Sequence, residues 1–324
     1  MLINKLKKFS YYLIHDINKI KLYLLYKFNW IFSNDEIYIK YIYKLRMKQE
    51  LNLCKPRTFG EKLQWLKLYN RNPEYTRMVD KYEVKKYVAD IIGEEYVIPT
   101  LGVWDKVEDI DYDALPNQFV LKSTHDSGGI VICKNKSLLD RVYVKKKIGK
   151  SLKRNYYNEK REWPYKYVKR RIIAEQFLSD SVHQDLIDYK FFCFNGQPRY
   201  CQVIRDRSTN ETIDFYDMQW NHMPFVGLNP IAPNEYNPIV KNGLNPVTRP
   251  SCLDNMIEIC EKLAKNIPFV RIDLYIINNK IYFGEITFFP ASGFGVFTPD
   301  NWNLVLGDMI SLPNIKNTEV EFIK

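Results

Sequence analysis

The chain has 324 residues, of which 46% are hydrophobic and 27% are charged. This length allows two lobes or domains, and the composition is typical of a soluble globular protein. The formal charge of +10 favours anionic partners such as nucleotide phosphates, acidic polysaccharides or an anionic membrane surface. Nucleic acid is not expected, because the sequence has neither a zinc-finger spacing nor a ribonucleoprotein-type aromatic motif.

The six cysteines are scattered and form no CxxC pair, which indicates reduced thiols in the cytoplasm rather than a disulfide framework or a zinc site. No cleavable signal pattern is found. The most apolar N-terminal run, 22–32, is broken by Lys27 and is too short to span a bilayer. Residues 1–32 are basic and aromatic, so they predict either peripheral contact with the inner face of the cell membrane or a helix packed on the protein body.

Helices are predicted over residues 33–72, with cap signals at Asn34 and Thr58, and over 75–92, which carries Lys81 and ends before Gly93. A strand is expected at 96–104. The acidic segment 108–113 contains an Asp-x-Asp pattern, Asp109-Ile110-Asp111, which occurs in many metal-dependent glycosyltransferases. An acidic loop explains that segment better.

A strand at 119–123 carries Lys122 and leads into a loop of small residues, Ser127-Gly128-Gly129, before a second strand at 130–133. Backbone N–H groups can reach phosphate oxygens only where no side chain intervenes, so this loop could cover phosphates. An ordinary glycine turn is the alternative, and the Walker pattern is absent from the sequence.

The later half predicts mostly strands. Residues 137–171 are basic, which indicates a solvated helix face or a landing surface for an acidic glycan or lipid head group. Strands are expected at 171–178, 186–195 and 197–206, the last two joined by the turn Asn195-Gly196, with Lys190 on the first of that pair. Residues 224–250 are expected to form a loop, and 253–266 an amphipathic helix.

The segment 269–295 predicts a β-hairpin, because apolar residues alternate in both arms around Asn278-Asn279. Both apolar sets fall on even numbers, which predicts that Asp273 lies opposite Glu285 across an odd loop of three residues. Two facing carboxylates repel each other unless something positive lies between them, and a hard divalent cation is the obvious candidate. An exposed pair of strand charges is the alternative.

The order of these features resembles the ATP-grasp superfamily: a lysine on a helix, a lysine-bearing strand with a glycine loop, a Glu-x-x-Leu strand exit, and Arg-x-Asp and Gly-Glu on a late hairpin. Within that superfamily, six segments resemble the TupA-like group, which is associated with teichuronopeptide and other bacterial surface-polysaccharide biosynthesis. They are CKPRTFGEKLQWLKLYNRNP, MVDKYEVKKYV, FVLKSTHDSGG, DYKFFCFNGQPRY, VRIDLY and GEITFFPASGFG.

The resemblance implies an α+β fold in which two lobes hold ATP between them: a helical N-terminal region at 1–74, a first lobe at 75–178 and a second lobe at 179–324. It also implies roles for individual residues. ATP would be bound by Lys81, Lys122, Ser127, Gly128, Gly129, Glu175, Gln176, Phe177, Leu178 and Lys190. Mg²⁺ would be bound by Asp273 and Glu285, and Arg271, Lys122 and Lys190 would act on the transferring phosphate.

One position departs from the pattern. Many ATP-grasp enzymes have an asparagine two residues after the glutamate, where this chain has Thr287, so the number of metal ions is open. The acceptor substrate is expected beside the γ-phosphate, near Arg205, Arg207, Ser292 and Gly293. The implied reaction is an ATP-dependent carboxylate–amine ligation through an acyl-phosphate, joining an amino acid or small amine to a uronic acid of a surface glycan. A glycosyltransferase or sugar phosphotransferase and a degenerate nucleotide-binding module are the alternatives.

Overall fold

The computed structural model of the protein describes residues 11–12, 16–179, 185–231, 233 and 238–314. The longer helices are α1 (Ile17–Lys27), α2 (Asp35–Met47), α3 (Phe59–Tyr69), α4 (Glu74–Val79), α5 (Glu83–Ile92), α6 (Arg141–Leu152), α7 (Tyr156–Lys160), α8 (Leu253–Ala264) and α9 (Asn301–Asp308). The strands are β1 (Thr100–Trp104), β2 (Phe119–Ser123), β3 (Ile130–Cys133), β4 (Ile172–Gln176), β5 (Asp188–Phe194), β6 (Gln197–Arg205), β7 (Thr212–Asp217), β8 (Val226–Asn229), β9 (Phe269–Ile277), β10 (Lys280–Thr287) and β11 (Val296–Thr298). None of the helices in these ranges is long and apolar enough to cross a membrane.

Two antiparallel sheets form the framework of the molecule. The first has the strand order β1-β4-β2-β3, and the second has the order β10-β9-β5-β6-β7. The first sheet packs with α6 around its own small core, whereas the second sheet shares a much larger core with α8 and the N-terminal helices. The predicted α+β architecture with two lobes is therefore found.

The N-terminal helices belong to the core of the second lobe. The ring of Phe59, at the start of α3, lies 4.9 Å from the ring of Phe269 and 5.4 Å from that of Phe297, measured between centroids. Thr58 and Glu61 form a capping box that starts this helix, as the cap signal predicts. Asn34 caps α2 with one hydrogen bond, which its side chain accepts from the backbone N–H of Ile37. The described residues of the predicted N-terminal region and of the predicted second lobe thus share one hydrophobic core, and the predicted domain boundaries remain predictions.

The helix predicted over 75–92 is interrupted, and this corrects the placement of Lys81. The chain is extended at Asp80, and the Asp80 carboxylate accepts hydrogen bonds from the backbone N–H of Tyr82 (2.9 Å) and from Arg171 (2.7 Å). Side-chain acceptors of this kind compete with the helical hydrogen bonds of the backbone. Lys81 therefore lies in the turn between α4 and α5 and not on a helix.

The hairpin β9–β10 pairs Asp273 with Glu285 as predicted, but the predicted three-residue loop is wrong. The loop consists of Asn278 and Asn279 alone, with φ of 49° and 61°, as a two-residue hairpin turn requires. A bulge at Gly284 then shifts the register by one residue, which brings Glu285 opposite Asp273. The buried residues of β10 accordingly change from odd numbers before the bulge to even numbers after it.

Smaller differences concern element ends. Strand β1 begins at Thr100 rather than near residue 96, and β4 ends at Gln176, two residues before the predicted end. The predicted loop 224–250 contains the short strand β8, which pairs with β11. The turn Asn195-Gly196 and the end of α5 at Gly93 agree with prediction.

Candidate active site

A cleft between the two sheets collects most of the residues that the sequence singles out. Its lining includes Lys81, Lys122, Glu175, Lys190, Asp273 and Glu285. All of these residues except Lys81 lie on strands, and the sheet pleat turns their charged side chains toward the cleft. The cleft therefore combines a cationic side and a carboxylate pair, which is a charge pattern suited to a polyphosphate with a metal ion.

The first sheet contributes a buried carboxylate held by two lysines. Glu175 on β4 accepts from Lys122 on the neighbouring strand β2 and, at 2.5 Å, from Lys85 on α5. Burial opposes ionisation of Glu175, but the charges of Lys122 and Lys85 hold its pKa below the usual value. The sequence analysis did not identify Lys85, because nothing in the sequence shows that its side chain on α5 reaches Glu175 on β4.

Lys81 connects the first lobe to the glycine loop. Its Nζ donates to the backbone carbonyl of Asp126 at 2.5 Å, and its backbone N–H donates to the carbonyl of Thr124 at 3.2 Å. Burial lowers the pKa of Lys81, although the nearby carboxylates of Glu285 and Asp126 counteract this. An anion entering the cleft beside Lys81 would relieve the cost of burying this ammonium group.

The glycine loop 126–129 is held at both of its ends and exposed at its centre. Its first residue, Asp126, accepts from the Ser151 hydroxyl at 2.6 Å, while Ser127 and Gly128 are exposed. Gly128 has a φ of 115°, which a residue with a side chain rarely adopts. A Cβ on Gly129 would lie 2.7 Å from the Cβ of Ser151. Gly128 is thus needed for its backbone conformation, and Gly129 is needed because Ser151 packs too closely for a side chain.

The second sheet contributes the carboxylate pair and the cations that separate it. Arg271 donates to both oxygens of Asp273 (2.6 and 2.8 Å) and to Glu285 (3.1 Å). Lys190, on the adjacent strand β5, donates to Asp273 and to Asp188. The positive charge expected between the two carboxylates is therefore supplied by the guanidinium of Arg271.

The two carboxylates differ in environment. Asp273 is 1% exposed, and burial raises its pKa against the opposing charges of Arg271 and Lys190. Glu285 keeps 45% of its side chain exposed. Desolvation opposes the ionisation of Glu285, but the charges of Arg271, Lys190 and Lys81 lower its pKa to about 2.

The donor set fits a magnesium ion. Mg²⁺ in nucleotide sites binds through one or two carboxylates together with substrate phosphates. The residues described contain no group of three or more His, Cys, Asp or Glu side chains placed to hold a metal, so the pair would need phosphate oxygens to complete the coordination. Thr287 adds a hydroxyl that donates to Glu285 at 3.0 Å and accepts from Arg271 at 3.1 Å.

The remaining predicted residues lie around the cleft at different distances. Phe177 and Leu178 line a depression that shares Asp188, Arg207 and Tyr275 with the cleft, whereas Gln176 is exposed. Sequence reasoning did not assign a role to Asp188, which pairs with both Lys190 and Arg207 at 3.1 and 3.0 Å.

The predicted acceptor residues are not brought together. Arg207 lines the cleft, but Arg205 forms an ion pair with Asp214 at 3.0 Å. Ser292 and Gly293 lie in a tight turn whose carbonyls accept from Gln64 of α3, each at 3.0 Å. Of the four residues predicted to bind the acceptor, only Arg207 is thus found among the described residues that line the cleft.

The acidic segment 108–113 has a structural role. The Asp111 carboxylate accepts from the backbone N–H groups of Asp113 (3.1 Å) and Ala114 (3.2 Å), and Ile110 is buried in the core of the first lobe. Asp109 and Asp111 are not among the described residues that line the cleft. The segment is a turn held by its own aspartate side chain, which agrees with the acidic loop expected from the sequence.

Comparison with protein-family models gives one match, TupA-like ATPgrasp, over residues 61–311. The chain belongs to the TupA-like ATP-grasp family. The match covers both sheets, the glycine loop and the hairpin, and so confirms the predicted family, the predicted fold and the predicted class of enzyme, an ATP-dependent ligase. No curated protein matches the sequence significantly.

Solved structures of ATP-grasp enzymes resemble the TupA-like chain weakly. D-alanine–D-alanine ligase from Helicobacter pylori has 15% identity and a TM-score of 0.42, with 78% of this chain and 69% of that chain covered. A RimK domain ATP-grasp protein from Sphaerobacter thermophilus has 12% identity and a TM-score of 0.40, with 78% of each chain covered. Phosphoribosylamine–glycine ligase from Thermotoga maritima has 15% identity and a TM-score of 0.36, with 66% of this chain and 48% of that chain covered.

Proposed function

We propose that the protein is an ATP- and Mg²⁺-dependent carboxylate–amine ligase that attaches an amino acid or small amine to a uronic acid of a bacterial surface polysaccharide. One observation carries the proposal: in a TupA-like ATP-grasp chain, lysines from the first lobe and the Asp273–Glu285 pair from the second line the same cleft. The nature of the acceptor follows from the family resemblance and from the basic charge of the protein.

The proposed roles follow from where each group lies. Lys81 and Lys122 bind the phosphates of ATP, and Ser127-Gly128-Gly129 cover them with backbone N–H groups. Residues 175–178 lie along the base and ribose. Asp273 and Glu285 hold Mg²⁺, which neutralises phosphate charge when it is bound.

The proposed reaction needs charge neutralisation more than a protein nucleophile. A carboxylate oxygen of the uronic acid attacks the γ-phosphorus of ATP, and ADP leaves. The nitrogen of the amine then attacks the acyl carbon, loses a proton and releases inorganic phosphate, so that an amide remains. Arg271 and Lys190 stabilise negative charge on the transferred phosphate, and closure of the glycine loop excludes water from the acyl-phosphate.

The proposal is tested by measuring ADP and phosphate release with Mg²⁺ across a matrix of uronic acids and amines, with the amide identified by mass spectrometry. We expect release that requires ATP, a uronic acid and an amine together, and that stops when EDTA removes the metal. A protein that releases ADP with none of these combinations, or that turns over a nucleotide sugar without ATP, would contradict the ligase assignment.

We also propose that residues 17–31 contact an anionic membrane surface. Ile17, Leu24 and Phe28 are 50%, 47% and 42% exposed and follow one stripe of α1, and Trp30 is 73% exposed just beyond it. Lys21 and Lys27 flank this stripe and match the negative charge of lipid head groups.

Co-sedimentation with vesicles tests this contact. The intact protein should bind vesicles that contain phosphatidylglycerol and should not bind neutral phosphatidylcholine vesicles, whereas Leu24→Glu with Trp30→Glu should bind neither. Equal binding of the variant and the intact protein would disprove the contact.

A further inference from the structure

A second cavity, of about 640 Å³, borders the glycine loop, which Lys81 of the ATP cleft contacts through the carbonyl of Asp126. One wall is the loop itself, 126–129, and the other is the last turn of α6 and the residues after it. The basic side chains of that wall are Lys147, Lys150, Lys153 and Arg154. We call this cavity the basic groove.

The positive charge of the basic groove is only partly neutralised within the protein. Two acids line the groove, and both pair with Arg154: the oxygens of Glu159 accept at 2.5 and 2.6 Å, and the Asp126 carboxylate lies 3.8 Å from the guanidinium. Lys150 and Lys153 are exposed and form no ion pair with the residues that the structure describes. An excess of positive charge therefore faces the groove.

The glycine loop joins the basic groove to the ATP cleft. On the groove side, Arg154 donates to the carbonyl of Ser127 at 3.2 Å. On the cleft side, Lys81 donates to the carbonyl of Asp126 at 2.5 Å. A ligand in the groove would thus contact one side of the loop, while the ATP phosphates are proposed to lie on the other side.

The spacing of the lysines favours an extended ligand. Lys147, Lys150 and Lys153 follow each other at intervals of three, which separates them by about 4.5 Å along the helix axis. Lysine ammonium groups are hydrated point charges on flexible stems, and they suit repeated carboxylates better than one rigidly held group. Ser127, Gly128, Lys150 and Lys153 of its lining are exposed, so the groove can admit a chain that continues beyond it.

We propose that the basic groove binds neighbouring anionic sugars of the acceptor, so that the preferred acceptor is a polyanionic glycan chain and not a single uronic acid. This inference rests on the proposed function, because the groove serves the acceptor of that reaction. The groove selects for chain length and charge, while the ATP cleft carries out the phosphoryl transfer.

Binding is tested first, without turnover. Fluorescence anisotropy compares labelled hexagalacturonate with the neutral maltohexaose for the intact protein, for Lys150→Gln with Lys153→Gln, and for the control Lys145→Gln with Lys146→Gln. The control removes the same number of positive charges, at two residues of α6 that do not line the groove. We expect the intact protein and the control to bind hexagalacturonate, and the groove variant to bind about tenfold more weakly. Equal weakening by both variants, or equal binding of the neutral chain, would overturn the proposal.

Kinetics then separate this inference from the proposed function. Galacturonate and hexagalacturonate are compared as acceptors with one amine. We expect a lower KM for the hexamer, and we expect the groove variant to lose that advantage while its KM for ATP and its turnover of the monomer stay unchanged. Turnover of the monomer without any advantage for the hexamer would disprove glycan binding in the groove but would still support the proposed ligase activity. Turnover of neither acceptor would count against the ligase activity itself. If UDP-galacturonate rather than the hexamer gained the advantage, the groove would bind a diphosphate and the glycan assignment would be wrong.

Discussion

Asp273 and Glu285 face each other across two strands, but burial makes them unequal. Asp273 is 1% exposed and pairs with Lys190 and Arg271, both themselves largely buried. Glu285 is half-exposed, and among the described residues its ion pair is with Arg271. Removal of one partner from a buried ion pair leaves an uncompensated charge, which costs much more than loss of an exposed pair.

We therefore expect Asp273→Asn and Glu285→Gln each to lower turnover by about 10²- to 10³-fold, since each removes a charge that is proposed to hold the metal. Only Asp273→Asn should also lose about 3 kcal/mol of unfolding free energy. Turnover and urea denaturation measure the two effects. Asp111→Asn, which alters a turn outside the cleft, should retain turnover. Near-normal turnover in both Asp273→Asn and Glu285→Gln would contradict the proposal that these two residues bind the metal.

Lys67 is a second residue whose chemistry depends on burial. It is fully buried in α3, where its Nζ donates to Gln64 (2.8 Å) and to the carbonyl of Ser292 (3.0 Å). Burial lowers its pKa to about 7. An unfolded lysine has a pKa of about 10.4, so between these pH values the unfolded chain binds a proton that the folded protein does not. The free energy of unfolding must then rise with pH through this window.

The prediction is that the stability of the intact protein rises relative to that of Lys67→Met between pH 7 and pH 10, by up to about 1.4 kcal/mol per pH unit. Urea denaturation of both proteins at several pH values measures the difference, and all other lysines cancel in it. Parallel pH curves for the two proteins would show that Lys67 is charged in the folded state at pH 8.

At the scale of elements, the glycine loop shows two glycines with separate functions. Gly128 is exposed and has a φ of 115°, and no other atom lies within 4 Å of the position that a Cβ would take. Gly129 is buried between strand β2 and helix α6, where a Cβ would collide with Ser151. A methyl group at the first position thus strains the backbone, and at the second it disturbs packing.

Gly128→Ala should raise the KM for ATP about tenfold with less than about 1 kcal/mol lost in stability, since an exposed loop can relax into another conformation. Gly129→Ala should lose about 1–3 kcal/mol through overpacking. Steady-state kinetics and urea denaturation distinguish the two. The interpretation fails if Gly128→Ala destabilises the protein as much as Gly129→Ala while the KM for ATP is unchanged.

At the scale of the whole molecule, the N-terminal helices complete the second lobe. Phe59 of α3 packs against the rings of Phe269 and Phe297, and Gln64 and Lys67 hold the turn that contains Ser292. The large core includes buried residues from Leu22 to Ile310, while the first sheet has its own smaller core with α6. Removal of the helices would expose the apolar face of the second sheet.

A protein that starts at residue 75 should therefore fail to unfold cooperatively, whereas one that starts at residue 33 should fold and retain turnover with a soluble acceptor. The first removes Phe59 and α3 from the core, whereas the second removes α1 with two buried residues, Leu22 and Leu25, and leaves α3 in place. Circular dichroism with thermal unfolding measures both. A cooperative transition in the protein that starts at residue 75 would show that the two lobes fold without the helices.

The order of the elements and the residues of the carboxylate pair can be predicted from the sequence, because alternation, caps and turn residues are local signals that neighbouring residues carry. The family is predicted from the resemblance of six segments to the TupA-like group. The bulge at Gly284, the turn position of Lys81 and the link from Lys85 to Glu175 become visible in the folded molecule alone. These depend on strand register and on contacts between residues far apart in the chain, for which local patterns carry no information. Local patterns also could not show that Ser292 contacts Gln64 whereas Arg205 pairs with Asp214, because a sequence pattern that predicts a turn or a strand does not tell which other residues it contacts.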